Sequence, residues 1–181
     1  MDIKKILAFT IVVLAIFSCL NVASAGFFDF LNLGGGPQNE TYTFDGFTLA
    51  LPQNANITNN TTDNDGVKSI VYHVAFADGT GDDANTSRIT VSTGTGESLV
   101  SSADEWAANW EAKGAKKEGV YNNTWTIVNI NGVPMKFFQD MGINITYEGY
   151  ILGYHDGHKI ITIEGDNLTQ IQKIADTFKP A

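Results

Sequence analysis

Cysteine is almost missing from this sequence of 181 residues, which contains one, Cys19, near its N-terminus. The remaining chain therefore offers no disulfide, no thiol nucleophile and no cysteine ligand for a metal or a haem. Its stability has to come from a hydrophobic core, and the roughly 140 residues after position 40 suffice to bury one. We expect a single domain there.

Positive charge is also scarce. The chain has 11 Lys and Arg against 20 Asp and Glu, and its formal net charge is −9. Such a charge repels nucleic acid and anionic lipid headgroups and attracts cations. The one basic cluster, Lys113, Lys116 and Lys117, is expected at the C-terminal end of a helix, where it complements the helix dipole. We therefore expect no nucleic-acid partner.

Motifs for catalysis and nucleotide binding are missing from the sequence. It has no P-loop, no G-x-S-x-G and no H-E-x-x-H. Gly94 and Gly96 lie between a strand and a helix, but Leu99 replaces the third glycine of the dinucleotide fingerprint. We predict a protein that is not an enzyme and has no cofactor, and we keep an envelope hydrolase as the least favoured alternative.

The first 25 residues have the pattern of an export signal. Lys4 and Lys5 precede an uncharged apolar run over residues 6–20, and an A-x-A signal-peptidase site ends at Ala25. The pattern predicts a signal peptide at 1–25 and a mature chain outside the cytoplasm, at the cell surface or secreted. Residues 26–40 then form an N-terminal stub with a glycine-rich linker, and residues 41–181 form a single α+β domain.

Two alternatives to cleavage stay open. Residues 6–25 would measure about 30 Å as a helix, which is enough to anchor the chain in a membrane. This uncleaved segment would be the chain's only membrane contact. Lipidation of Cys19 is the weaker alternative, because Phe17 is bulkier than a lipobox favours.

Glycosylation sequons are in excess. Eight N-x-S/T triplets occur, more than the content of Asn, Ser and Thr predicts by chance. An exported chain with this excess is typical of a glycoprotein. We predict glycans at loop sites, namely Asn56, Asn60, Asn85 and Asn122. The sequon at Asn167 instead has the form of a helix N-cap with Gln at the third helical position.

Alternating apolar residues predict strands at 47–51, at 70–76 and around Ile89 and Val91, with polar loops at 53–67 and 78–86. A capping box at Ser102 and a C-terminal Gly114 bound a helix whose Trp106 and Trp110 are expected to pack on a sheet. The last apolar stripe predicts a helix over 168–178.

A meander of strands joins the two helices. Two-residue hairpin turns are expected at Asn131-Gly132 and at Asp156-Gly157. The second turn would pair His155 with His158. Both faces of this hairpin are partly apolar, so we expect it to be covered on both sides; the alternative is that Gly149 and Gly153 mark bulges. These elements together predict an α+β fold with an antiparallel sheet of about six to seven strands and two main helices.

This order of elements resembles the PsbP-like superfamily over residues 41–180. The resemblance is carried by four stretches: Gly46-Phe47-Thr48-Leu49-Ala50-Leu51-Pro52, the Trp106/Trp110 helix, Asp156-Gly157-His158-Lys159-Ile160-Ile161 and Ile174-Ala175-Asp176-Thr177-Phe178. Members of that superfamily are mostly non-catalytic binding or assembly factors, many of them exported. The resemblance therefore implies a binding module, by analogy of fold alone.

Metal ligands are conceivable at three places. The pair His155 and His158 could hold Zn²⁺ or Cu²⁺ if a third ligand approached. Two acidic loops offer the oxygen ligands that Ca²⁺ prefers, although neither matches the twelve-residue calcium loop; they contain Asp63, Asp65, Asp78 and Asp82. Turn formation alone also explains these residues.

The leading hypothesis is an exported, N-glycosylated cell-envelope domain that binds or assembles with an envelope protein or a glycan without catalysing a reaction. The alternative is a small extracytoplasmic module that binds a small ligand or a metal ion, Ca²⁺ or Zn²⁺.

Overall fold

The computed structural model describes residues 39–180 except 54, 65 and 79–84. This part is α+β, as predicted, and contains ten strands and three helices. The elements are β1 (Asn39–Phe44), β2 (Phe47–Pro52), β3 (Asn56–Asn64), β4 (Val67–Asp78), β5 (Asn85–Gly96), α1 (Ala103–Glu111), β6 (Lys116–Tyr121), β7 (Trp125–Asn129), α2 (Lys136–Gln139), β8 (Tyr150–His155), β9 (Lys159–Gly165), α3 (Leu168–Ala175) and β10 (Lys179–Pro180).

Two antiparallel sheets form the frame. The larger has seven strands in the order β3-β4-β5-β9-β8-β7-β6, and the smaller has the order β1-β2-β10. Three strands of the predicted meander form as β7, β8 and β9, but the strand expected at 133–139 does not form, and β6 pairs with β7 in its place. The last strand of the meander, β9, also pairs with β5. The first half of the chain therefore extends the same sheet.

The main core lies between one face of the large sheet and a layer made of the small sheet and α3. Alternate residues of each strand point into it, as the period of two requires. Phe178 follows α3 and packs on Phe47 and Trp125, with ring centroids 5.7 and 5.3 Å away. The buried side chains include Phe47, Leu49, Leu51, Val91, Leu152, Ile163 and Ile171.

Helix α1 packs on the opposite face of the large sheet. It lies over β6, β7 and β8 and buries Ala107 against Val128, Ile130 and Ile151. The prediction that the β8–β9 hairpin is covered on both faces is thus confirmed for β8. The part of this face formed by β4 and β5 is partly exposed, since Val71, His73 and Thr90 all retain solvent access.

The predicted helix ends are confirmed in detail. Ser102 Oγ accepts the N–H of Glu105 at 3.1 Å, and Asn167 Oδ1 accepts the N–H of Gln170 at 3.2 Å. Gly114, with φ +100°, closes α1 through hydrogen bonds from its own N–H to Glu111 and from the following N–H to Trp110. Local capping chemistry therefore sets these boundaries.

Two predictions of irregular structure are wrong. The polar segment 53–67 contains the strand β3, which pairs along its whole length with β4. Lys116 and Lys117 lie in strand β6 rather than at a helix end, and Lys117 Nζ forms an ion pair with Asp104 at 2.8 Å. β3 and β6 are both edge strands with polar side chains, so neither shows the apolar alternation that identifies a strand.

The prediction of a β-hairpin at Asn131-Gly132 is also wrong. The turn itself forms, but β7 pairs with β6 and β8, and residues 136–139 are helical. Val133 instead accepts the N–H of Tyr147 at 2.8 Å. Pro134 lies within this short pairing, as an isolated bridge with Thr146, and the chain enters α2 directly after it.

The register of the last hairpin differs from the prediction by two residues. His155 pairs with Ile160, not with His158, so four residues separate the two paired positions: the turn residues 156–158 and Lys159, the first residue of β9. Asp156 Oδ1 accepts the N–H groups of the second and third residues after it, at 2.8 and 2.7 Å. This side-chain turn outcompetes the two-residue turn. A shift of two keeps every side chain on its predicted face.

No helix among residues 39–53, 55–64, 66–78 and 85–180 is long and apolar enough to cross a membrane. The predicted signal peptide and the stub with its linker lie almost entirely outside the described residues, and both stay predictions.

Candidate functional site

A groove runs along the large sheet beside α1. Its floor comes from the face of β5 and β9 that points away from the main core, where Ser92, Thr162 and Glu164 lie. Trp106 and Trp110 of α1 form one wall. The cavity measures about 240 Å³.

Glu164 is the charged residue of this groove. It stands between Ile151 of β8 and Thr90 of β5 in the sheet and is partly buried. Burial raises the pKa of its carboxyl from 4.5 to about 7. Among the described residues no hydrogen bond or ion pair reaches this carboxylate, which leaves both of its oxygens for a ligand.

The tryptophan wall depends on a glycine. A Cβ at Gly153 would overlap ring atoms Cε3, Cζ3 and Cη2 of Trp106, so only glycine lets this indole lie against β8. The prediction that both tryptophans pack on the sheet is confirmed. The alternative that Gly153 marks a bulge is wrong, because its pairing with Thr126 and Thr162 is regular. Gly149, in contrast, precedes β8 with φ +101°.

Trp110 is held from two other sides. Its ring meets the ring of Tyr147 edge-on at 5.6 Å, and Lys113 Nζ lies 4.8 Å from its centroid. The lysine contact is a cation–π interaction at the end of the helix. Trp110 is therefore fixed in place and still partly exposed.

Hydroxyl groups complete the floor. Ser92 Oγ and Thr162 Oγ1 are 2.6 Å apart, and one donates to the other. The hydroxyl that donates keeps its lone pairs free as acceptors, and the other keeps its proton for a further bond. The floor thus offers both a donor and an acceptor beside the carboxylate.

Further out on the same face lies His73. The sheet register aligns His73 on β4 with Thr90 on β5 and Glu164 on β9, so His73 and Glu164 are two strands apart, about 10 Å. Burial lowers the pKa of His73 from 6.5. The two titratable groups are therefore both pushed toward their neutral forms without touching.

The histidines predicted as metal ligands are not brought together as expected. His155 Nδ1 accepts the N–H of Gly157 at 2.9 Å, so its Nε2 is the donor to Val100 O at 2.7 Å. Both ring nitrogens of His155 are thus engaged. His158 is exposed on the turn.

The acidic candidates are scattered. Asp63 is exposed on β3, Asp78 ends β4, and Asp65 and Asp82 lie outside the described residues. Among the described residues no three His, Cys, Asp or Glu side chains converge on a point where a metal ion would fit.

The prediction that the glycan sites lie in loops is correct for Asn122 and wrong for the other three, which lie in strands. Asn56 is exposed on the edge strand β3, and Asn60 on the same strand is partly buried. Asn122 is exposed in the β6–β7 turn, and its Nδ2 donates to Asp176 Oδ1 at 2.6 Å. Asn85 begins β5. Glycosylation at these four positions stays a prediction.

The groove was not found from the sequence, although one signal was available. Ile160, Thr162 and Glu164 alternate along β9 on a face that the apolar pattern of β8 already marked as covered. A glutamate on a covered face of a central strand is unusual, because burying an ionised carboxylate is costly. Glu164 is therefore the residue by which the sequence indicates a site.

Comparison of the chain with protein-family models, with curated proteins and with solved structures gave no match. The α+β fold is therefore shown by the coordinates alone, and the PsbP-like resemblance stays a prediction.

Proposed function

We propose that this chain is a non-enzymatic, exported and N-glycosylated binding module of the cell envelope, which holds a small ligand in the Glu164 groove. The observation that carries the proposal is the carboxylate of Glu164, which is partly buried and reached by no protein partner among the described residues, on the floor of a tryptophan-walled groove. A carboxylate that is partly withdrawn from water and has no protein partner is costly, and groups with pKa values shifted in this way cluster at functional sites.

The lining favours recognition over catalysis. Aromatic faces, paired hydroxyls and one carboxylate are groups that orient and hold a ligand. Acid–base hydrolysis generally needs two titratable groups around the reacting bond. Among the residues that line the groove, Glu164 alone titrates near neutral pH.

The size of the groove supports a small ligand. Its 240 Å³ lies below the range of about 300–1,000 Å³ that is typical of sites for drug-sized molecules. The sequence-based partners, an envelope protein or a glycan chain, would have to present a single small group to this groove.

Location outside the cytoplasm is supported by the sequence pattern at 1–25 and by the exposure of several sequons. Asn56 and Asn59 are exposed on β3, an edge strand that a glycan would shield from pairing with another chain. Intact mass of the native protein tests this part: a chain starting at Gly26 with glycan increments supports it, and an unmodified chain from Met1 contradicts it.

The three tryptophans make a direct test of ligand binding. Trp106 and Trp110 line the groove, whereas Trp125 is buried in the main core on the other face. Each indole N–H gives its own signal in a ¹⁵N–¹H spectrum. We expect a ligand from a panel of small envelope components, namely sugars, amino acids and amines, to move the first two signals and leave the third in place.

Blocking variants sharpen the test. Ser69→Phe places a ring at the groove from β4, and Val120→Phe places the same ring on the exposed strand β6 as a control. Binding should be lost in the first variant and kept in the second. A panel that leaves the signals of Trp106 and Trp110 unmoved, or moves them equally in both variants, contradicts the proposal.

A further inference from the structure

We propose that the ligand of the Glu164 groove is a small organic cation, an ammonium group carried on a short apolar chain, with Glu164 as its counter-ion and Trp106 and Trp110 as its aromatic wall. This inference rests on the proposed binding function and specifies the class of ligand.

Charge is the first argument. Glu164 is the one ionisable carboxylate among the lining residues, and neither lysine, arginine nor histidine lines the groove beside it. An anionic ligand would meet a like charge at close range. A cation would supply the partner that the carboxylate lacks, and the chain's net charge of −9 raises the local concentration of cations.

The aromatic wall is the second argument. Indole is the side chain that attracts cations most strongly through its ring face. Lys113, which is not among the residues that line the groove, has its Nζ 4.8 Å from the ring centroid of Trp110, so among the described residues the ring of Trp106 is the one without a cation of its own. A carboxylate and tryptophan rings that line the same groove are groups that together recognise an ammonium group with attached carbon atoms.

The rest of the lining favours an organic cation over a metal ion. Ca²⁺ takes about six to eight oxygen ligands and Mg²⁺ keeps near-octahedral geometry, whereas the groove offers one carboxylate and the Ser92–Thr162 hydroxyl pair. Ile151 and Ile160 add apolar surface that a hydrated metal ion does not use and an alkyl chain does.

Matched pairs of compounds isolate the charge. Choline has a neutral isostere in 3,3-dimethylbutan-1-ol, and n-butylammonium has a neutral counterpart in butan-1-ol. Each is titrated into the full-length protein at about pH 8, where the carboxyl of Glu164 is mostly ionised. Binding is followed through the indole signals of Trp106 and Trp110, with Trp125 as the internal control.

We expect at least one of the two cations to bind about tenfold or more tightly than its neutral partner. Glu164→Gln should abolish that difference, because the amide keeps the shape and loses the charge. Glu148→Gln, which neutralises an exposed carboxylate outside the groove, should leave it unchanged.

The outcomes separate this inference from the proposed function. Neutral partners that bind as tightly as the cations, or a preference that survives in Glu164→Gln, overturn the assignment of the ligand as a cation. A neutral sugar that moves the signals of Trp106 and Trp110 while both cations fail does the same, and it leaves the groove as a binding site. If no compound moves these signals, both proposals fail together.

Discussion

The indole of Trp106 occupies the space above Gly153 that any side chain at that position would fill. This contact lets α1 lie close to β8 and brings the tryptophan wall to the edge of the groove. Gly153 pairs with Thr162, whose hydroxyl lies on the groove floor. One glycine thus determines both how the helix packs and how the groove is shaped.

Replacing Gly153 by alanine should lower the free energy of unfolding by about 1–3 kcal/mol, because the added methyl group overpacks the contact with Trp106. The indole signal of Trp106 should move, and that of Trp125 should stay. Gly132→Ala is the matched control, since position 132 has φ +79° and open space around it. That control should cost stability through backbone strain without moving Trp106. An unmoved Trp106 signal in Gly153→Ala would contradict the packing argument.

Glu164 should make stability depend on pH. Its pKa is raised by burial from 4.5 to about 7, so the folded chain binds the proton more tightly than the unfolded chain does. The stability that the fold gains from the proton on Glu164 is fully present below pH 4.5 and is lost as the pH rises through 7. Glu164→Gln should therefore stabilise the protein by about 1–3 kcal/mol at pH 8 and have little effect at pH 4.

Comparing Glu164→Gln with the natural chain cancels the opposite pH dependence that His73 gives to the free energy of unfolding. Burial lowers the pKa of His73 from 6.5, so this group destabilises the fold as the pH falls below that value. The histidine is present in both chains, and its contribution cancels in the difference. Urea unfolding at several pH values measures that difference, and a difference that does not change with pH would refute the burial of the carboxyl.

Asn167 should carry no glycan despite its sequon, because its side-chain oxygen caps α3. Asn167→Ala should cost about 1 kcal/mol of stability, while Asn167→Asp keeps an acceptor and should cost less. Site-resolved mass spectrometry of the native protein reports occupancy. A glycan found at Asn167, with none at Asn56, would contradict this prediction.

Asp176 should couple the end of α3 to the β6–β7 turn. Its carboxylate accepts the hydroxyl of Tyr121 at 2.8 Å and the amide of Asn122 at 2.6 Å. Asp176→Ala and Tyr121→Phe should each destabilise, and a double-mutant cycle should give a coupling of about 0.5–1.5 kcal/mol. Strictly additive effects in chemical denaturation would show that this contact contributes nothing.

Much of the fold followed from the sequence because its signals are local. The caps at Ser102 and Asn167, the C-terminal Gly114 and the alternation in β2 and β4 each depend on a few neighbouring residues. Such signals survive folding because a helix end or a buried strand needs them wherever it lies.

The elements that escaped prediction depend on distant partners. β3 is polar throughout and becomes a strand because β4 lies beside it. At Asp156 a side-chain acceptor competes with the two-residue turn, and the outcome sets the register of His155. Neither competition can be decided from composition or spacing alone.

The groove could not be predicted from the sequence for the same reason. Ser92 and Glu164 are separated by 72 positions in sequence and meet only through the pairing of β5 with β9. The sequence places Glu164 on a strand that is predicted to be covered on both sides. The tryptophans that form a groove beside this residue belong to α1, and the sequence of the strand does not indicate them.

The most direct test of the groove as a ligand site is the titration of Glu164 by its ¹³Cδ signal, in the free protein and with choline or n-butylammonium present. We expect a midpoint near pH 7 in the free protein and a lower midpoint with the cation, because a bound positive charge favours the ionised carboxylate. A midpoint near 4.5 in the free protein that does not move with either cation would contradict it, since the carboxyl would then be solvated and the groove would hold no such ligand.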